Sequence, residues 1–243
     1  GGYSSKPSNP GGKKVYIHVN KLIGSDQNIN HRNVALTTGL FDFATELFVH
    51  VGTSGAIVGG GGKGGLGKKD AKGDNGVDGS SALGLLHAAT IINNGAIRTG
   101  FGGGGGGSGN GQNVKTGKKS SAYETGSGGG GGGGAGLPKG LKGDAEQGAT
   151  SNGSAGSDAV DTIDGGDGGA GGTGAGAGGN GGGSNVSGQP SADRAPSGGT
   201  SSKFPTASLG GKNGYAIIST GNSAPTITGN AIVGRILLSQ TPT

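Results

Sequence analysis

Two uninterrupted glycine runs, Gly102–Gly107 and Gly128–Gly134, constrain this chain more than any other feature. Glycine makes up 66 of the 243 residues. Collagen carries similar amounts, but it needs a strict third-position repeat with abundant proline. With 8 prolines and no sustained repeat, the chain is not collagen. Ordering glycine costs about 0.5–1 kcal/mol more per residue than ordering alanine. Summed over 66 glycines, the excess is on the order of 30–60 kcal/mol. A small side-chain core does not offset that, so backbone hydrogen bonds between neighbouring segments must contribute heavily.

That requirement selects a geometry. A glycine run can adopt the left-handed, three-residue-per-turn helix of the polyproline II kind, which has no internal hydrogen bonds. Without side chains, several such helices can pack closely and bond laterally. Segment 164–174 carries the matching period: Asp164, Asp167, Ala170 and Thr173 recur every third residue among glycines. The phase then slips, which puts Ala177 and Asn180 on a second edge.

A repeated unit precedes the glycine. Thr90–Arg98 is short, apolar and β-prone, and it passes through Asn93-Asn94-Gly95 before reaching Phe101 and the first long run. Thr53–Val58 leads into Gly59–Gly62 in the same way, and Thr228–Arg235 repeats the core near the end. Further strand signals are Val15–Val19, with Val15, Ile17 and Val19 on one face, Asn33–Leu36, the second half of Leu40–Val51 (with one helical turn as the alternative), Gly214–Thr220 and, more weakly, Pro225–Thr228.

Several chemistries find no support. Cysteine is absent, so there is no disulfide and no thiolate metal site. His18, His31, His50 and His87 lack metal-ligand spacing. Gly165–Ala170 departs from the glycine-rich calcium repeat by alanine where aspartate belongs. Gly-x-Gly-x-x-Gly occurs only as a by-product of composition, outside any βαβ setting. Gly117-Lys118-Lys119-Ser120 lacks the upstream glycine of a phosphate loop. No Gly-x-Ser-x-Gly nucleophile elbow occurs. The net charge is +5, but it is uneven: residues 144–167 hold six acids and no base. No single basic face for nucleic acid is present. No stretch approaches the roughly 20 apolar residues of a membrane span, and no signal-peptide pattern is visible. A chain that begins Gly1-Gly2 and contains no methionine reads as a fragment or a processed C-terminal piece. The expected protein is a non-enzyme with no cofactor and no metal.

Between the glycine runs lie polar insertions at 63–88, 108–127, 136–163 and 184–212. Loops of this length inside a compact domain are usually functional. They carry isolated large side chains: Leu66, Leu85, Leu86, Tyr123, Leu137, Leu141 and Phe204. Lysines stand beside them: Lys68, Lys69, Lys118, Lys119, Lys142 and Lys203. Rigid anchors among lysine and small polar residues are the composition of a recognition surface. These residues are the candidate binding set.

Apolar β units that run into polyglycine blocks, separated by dissimilar insertions, resemble the glycine-rich tip adhesins of bacteriophage tail fibres. The resemblance is to the T-even-like adhesins and to the C-terminal domains of siphophage tail-tip fibres. It is carried by Asn93–Phe101 with Gly102–Gly107, by Gly128–Gly134 and by Gly165–Gly183. It implies a mostly β and irregular fold: a short N-terminal β region, then a packed sandwich of polyglycine II helices with long distal loops. The boundary falls at residue 58, with a β-rich attachment region before it and the glycine-rich domain at 59–243 after it. The resemblance implies that loops at the distal end bind a host outer-membrane protein, or lipopolysaccharide. It also implies that the N-terminal side joins the rest of the fibre, and that the protein sits in the virion, extracellular, at the fibre tip. Two other classes fit the composition: an ice-binding protein built from similar helices, and a structural glycine-rich fibre protein.

Overall fold

The computed structural model describes residues 13–25, 32–41, 45–109, 114–115, 123–124, 126–147, 149–183, 188, 208–220 and 225–238. Among these there is no helix, and the chain is mostly β and irregular. The strands are β1 (Lys14–Val19), β2 (Leu22–Gly24), β3 (Val34–Thr37), β4 (Glu46–Val51), β5 (Ala56–Val58), β6 (Ser81–Leu85), β7 (Ala89–Asn93), β8 (Ala96–Arg98), β9 (Val114–Lys115), β10 (Tyr123–Glu124), β11 (Ile217–Ser219), β12 (Thr226–Gly229) and β13 (Ile236–Leu238).

Three parallel sheets dominate, with orders β1-β4-β7-β12, β2-β5-β8 and β13-β11-β6-β3. Read together, they are the three sides of a stacked prism. Its rungs are β1-β2-β3, then β4-β5-β6, then β7-β8-β11, and last β12, the bridge of Val233 to Arg98, and β13. Alternation within each strand explains the closure. Val15, Ile17 and Val19 point inward while Lys14, Tyr16 and His18 point out, and Leu47, Val49 and Val51 repeat the pattern one rung on. Aliphatic columns result: Ile17, Val49, Ile91 and Ile227 on one side, Ile23, Ile57 and Ile97 on the second, Leu36, Leu83, Ile217 and Ile236 on the third. All of them meet in one hydrophobic core. The repeated units in the sequence are therefore successive rungs, with Ala56, Ile57 and Val58 lying directly on Ala96, Ile97 and Arg98.

The glycine-rich chain leaves the prism between the second and third sides. It departs after β5 and returns before β6, then departs after β8 and returns before β11. Outside the prism it runs as extended segments that bond to one another sideways. Segment 128–135 is the clearest. Gly128, Gly131 and Gly134 donate to the carbonyls of Lys68, Gly65 and Gly62, and Gly129, Gly132 and Ala135 to those of Gly176, Gly179 and Gly182. Gly130 and Gly133 donate to Ser154 and Ser157, all these bonds falling between 2.8 and 3.1 Å. The carbonyls of the same segment accept from three further neighbours, at 101–107, 140–143 and 166–169. Each neighbour is thus met every third residue. Exposure follows the same period: Asp164, Asp167, Ala170 and Thr173 face solvent while Gly166 and Gly169 are buried. The phase slip after Thr173 coincides with a chain reversal at Gly174, whose φ is +68°.

One expectation needs correction. Residues 63–88 and 136–163 are not free loops. Their stretches 63–68, 73–80, 137–146 and 151–160 belong to the bonded array, and 81–85 is β6. Glycine at every third position, as at Gly73, Gly76 and Gly79, was the signal for this. The sheets also draw strands from both sides of residue 58.

Density in the array makes a prediction. A Cβ added at Gly131 would stand 2.1 Å from the Gly104 carbonyl oxygen, backbone against backbone. Gly131→Ala is expected to cost about 1–3 kcal/mol through overpacking, read as a fall in melting temperature. Gly39 has φ +79° and open space around its would-be Cβ, so Gly39→Ala is expected to cost only about 1–2 kcal/mol of backbone strain. Stability unchanged in Gly131→Ala would contradict close packing.

A second prediction concerns the turn at 160–164, beside the prism. The Asp161 carboxylate accepts hydrogen bonds from the backbone N–H of Ile163 at 2.6 Å and of Asp164 at 2.8 Å. The bond from Asp164, then that from Ile163, hold its pKa below the ordinary 3.8, with smaller help from Arg98 and Lys139. A depressed folded-state pKa stabilises above the unfolded value and loses that effect as pH falls through the folded one. Amide protection at Ile163 and Asp164 is therefore expected to drop only below pH 3.8. Hydrogen exchange that shows no such pH dependence, relative to Asp161→Ala, would count against it.

Candidate functional site

The direction of each segment sorts the chain reversals into two groups. Segments 59–68, 100–109, 137–146 and 164–173 run away from the prism, and 73–80, 126–136, 151–160, 174–183 and 208–215 run back. At the prism end the array is anchored by Gly59 N–H to Arg98 O, Gly100 N–H to Ser80 O and Gly214 N–H to Gly100 O. Turns at 136–138 and 160–164 lie there too, the second tied by Arg98 Nη1 to Thr162 Oγ1 at 3.2 Å.

The far end collects the rest. Lys68 bonds to Gly107 and Gly128, Ser127 to Ser151 and Gly172, and Gly176 to Ser108. Gly67 bridges Ala145, and Gly126 bridges Ser151. The turns at 68–73 and 173–174, and the described residues 109, 126, 146 and 151 that flank the other two reversals, therefore share one end. The turns are built from the residues such geometry needs. Asn152 Oδ1 closes its turn by accepting from Ala149 N–H at 3.0 Å, and Ser108 Oγ accepts from Gly73 N–H at 3.2 Å where the first turn re-enters the array.

A charged cluster fixes the first and third turns together. Lys68 Nζ lies 3.3 Å from Asp74 Oδ2 and 3.6 Å from Glu146 Oε1. Glu146 Oε2 accepts the backbone N–H of Lys69 at 2.8 Å. Among the described residues, no group of three or more His, Asp or Glu side chains is placed to hold a metal ion. Among the described residues, no helix is long and apolar enough to cross a membrane.

The candidate residues separate. Lys68 and Lys69 stand together at the far end, and half-buried Leu66 lies just inside it. Leu141, 48% exposed, and exposed Lys142 sit midway along an outer segment, where Lys142 N–H donates to Asp158 Oδ1. Leu137 is at the prism end, and its side chain covers Gly24. Leu85 is a correction: at 1% exposure it is part of the prism core, because β6 turns it inward, and it has no surface to offer a partner. Leu86 is half-buried just beyond it. Tyr123 lies in β10, paired antiparallel with Lys115 of β9. Lys118, Lys119, Lys203 and Phe204 lie outside the described residues. Sequence reasoning missed Asp74 and Glu146, 72 positions apart (146 minus 74), which no local pattern joins.

A scaffold that places one set of its reversals at the end away from its β core has the geometry of a display protein. The chain belongs to the phage tail fibre adhesin Gp38 family, whose family model matches residues 3–237. No curated protein and no solved structure matches the chain. Family membership makes it a receptor-binding adhesin of a bacteriophage tail, and decides against the ice-binding and structural-fibre readings of its composition.

The far turns bond to the array chiefly through backbone. Replacing Lys69-Asp70-Ala71-Lys72 by Gly-Ser-Gly-Ser is therefore expected to change stability by no more than about 0.5 kcal/mol. A large fall in melting temperature would show that these side chains hold the fold.

Proposed function

We propose that the chain recognises an outer-membrane protein of the host bacterium through the turns at the far end of its glycine array. In this reading the array is a sandwich of polyglycine II helices. The three-residue period of the lateral bonds and the six neighbours of segment 128–135 support that assignment. Excursions of unequal length converge at one end, and this observation carries the reading. The array fixes where each turn begins and ends, so little backbone freedom is lost on binding.

The opposite side of the molecule suits attachment to the fibre. β1, β2 and β3 are edge strands, one per sheet, on the N-terminal rung. Unpaired edges readily accept an added strand. Residues 1–58 supply this rung and the one beneath it apart from β6.

The test is binding of the purified chain to intact Gram-negative cells across strains that each lack one abundant outer-membrane protein. Saturable binding lost in a single deletion strain is the expected result. Binding that survives every such deletion and disappears on truncation of lipopolysaccharide would move the receptor to the glycan. No binding to any strain, by folded protein, would overturn the reading.

A further inference from the structure

We infer that Glu146 is a positioning residue of the adhesin: it locks the turn at 68–73 to the turn at 146–151, so that both are presented to the receptor as one surface. The inference rests on the assignment of the far end as the receptor-binding end. The two turns belong to different excursions, 59–80 and 100–215, and their supporting segments run side by side through Gly64 N–H to Leu141 O and Gly67 N–H to Asp144 O. That pairing ends where the turns begin. Beyond it, Glu146 supplies the connection twice. Its backbone N–H donates to Gly67 O at 2.8 Å. Its carboxylate takes the Lys69 N–H through one oxygen and the Lys68 ammonium through the other.

The carboxylate–amide bond is the important one. Lys69 N–H is the first backbone donor past the array on the outgoing turn, and a charged acceptor holds such a donor more strongly than a neutral one. Lys68 extends the tie to the returning arm, because the same ammonium also reaches Asp74. The Lys68 side chain is 23% exposed and that of Glu146 40%. Screening keeps the ion pairs weak at such exposure, so the cluster orients the turns and adds little to global stability.

The outgoing arm, the returning arm and the neighbouring excursion thus converge on four side-chain and main-chain groups. A receptor meeting this end encounters Lys69–Lys72 and, beside them, Gln147, Ala149 and Thr150 at a fixed separation. Without the Glu146 carboxylate, Asn152 still closes its turn on Ala149, Ser108 still holds Gly73, and Glu146 N–H still meets Gly67 O; the second turn loses only its hold on Lys69 N–H and on the Lys68 ammonium. The loss falls on preorganisation, which acts on residence time once bound.

The experiment compares the full chain with Glu146→Ala and Glu146→Gln, using saturable binding to host cells. Glu146→Ala is expected to raise the off-rate about tenfold, with the on-rate and melting temperature unchanged. Glu146→Gln keeps an acceptor for Lys69 N–H and is expected to recover most of the loss, staying within about threefold of the parent. Hydrogen exchange at Lys69 reports the tie directly and is expected to accelerate in Glu146→Ala while Gly67 and Gly128 stay protected. An unchanged off-rate with a freed Lys69 amide would overturn the inference and leave the receptor end standing. An equal loss in both variants would also overturn it, since charge rather than position would then be at work. The replacement of residues 69–72 by Gly-Ser-Gly-Ser is the control: wild-type binding there would overturn the receptor-end assignment together with the inference.

Discussion

A glycine segment with no internal hydrogen bond has to satisfy every N–H and C=O from outside, and the structure follows from that demand. The residues of 128–135 donate in strict rotation to three neighbours and accept from three others. A net contribution of about 0.5–1.5 kcal/mol per bond is comparable to the extra cost of about 0.5–1 kcal/mol for ordering each glycine. The array is therefore stable only where nearly all its lateral bonds form. A methyl group on a central segment would separate backbones that must touch, and so the two longest glycine runs are the two most surrounded segments.

At the margins of the array neighbours run out, and side chains replace them. Asn75 and Asp78 accept from Leu209 and Lys212 N–H, three residues apart on each segment. Ser151 and Ser154 accept from Thr173 and Ala170 N–H, and Asn180 accepts from Gly168 N–H. Short polar side chains thus stand in for a missing carbonyl. Polar residues in the glycine-rich region are of two kinds: those that finish the scaffold's bonding, and those on the turns.

The division serves an adhesin. Strands of the prism continue straight into the outgoing glycine segments, so the position of the far end is set by a hydrophobic core at the other. Lengthening a turn disturbs no lateral bond, whereas changing a central glycine disturbs several. Under the proposed assignment of the far turns to the receptor, recognition varies at that end while the body of the protein stays constant.

Much of this was legible in the sequence. Alternation of Val15, Ile17 and Val19, and of Leu47, Val49 and Val51, marked the strands, because a strand's side-chain period is local. The third-residue spacing from Asp164 to Thr173 marked an outer segment for the same reason. The repeated β units marked the rungs. Leu85 was misread as a surface anchor because Ser81–Leu85 carries no alternation: all five residues are buried. Glu146 was invisible, since its partners at Lys68 and Lys69 are joined to it only through the lateral offset between segments. The sequence by itself determined that backbone would bond to backbone without intervening side chains, since glycine leaves no other source of cohesion. Only the tertiary structure decided which segments are neighbours and which turns share an end, because identical glycines carry no label by which one segment selects another.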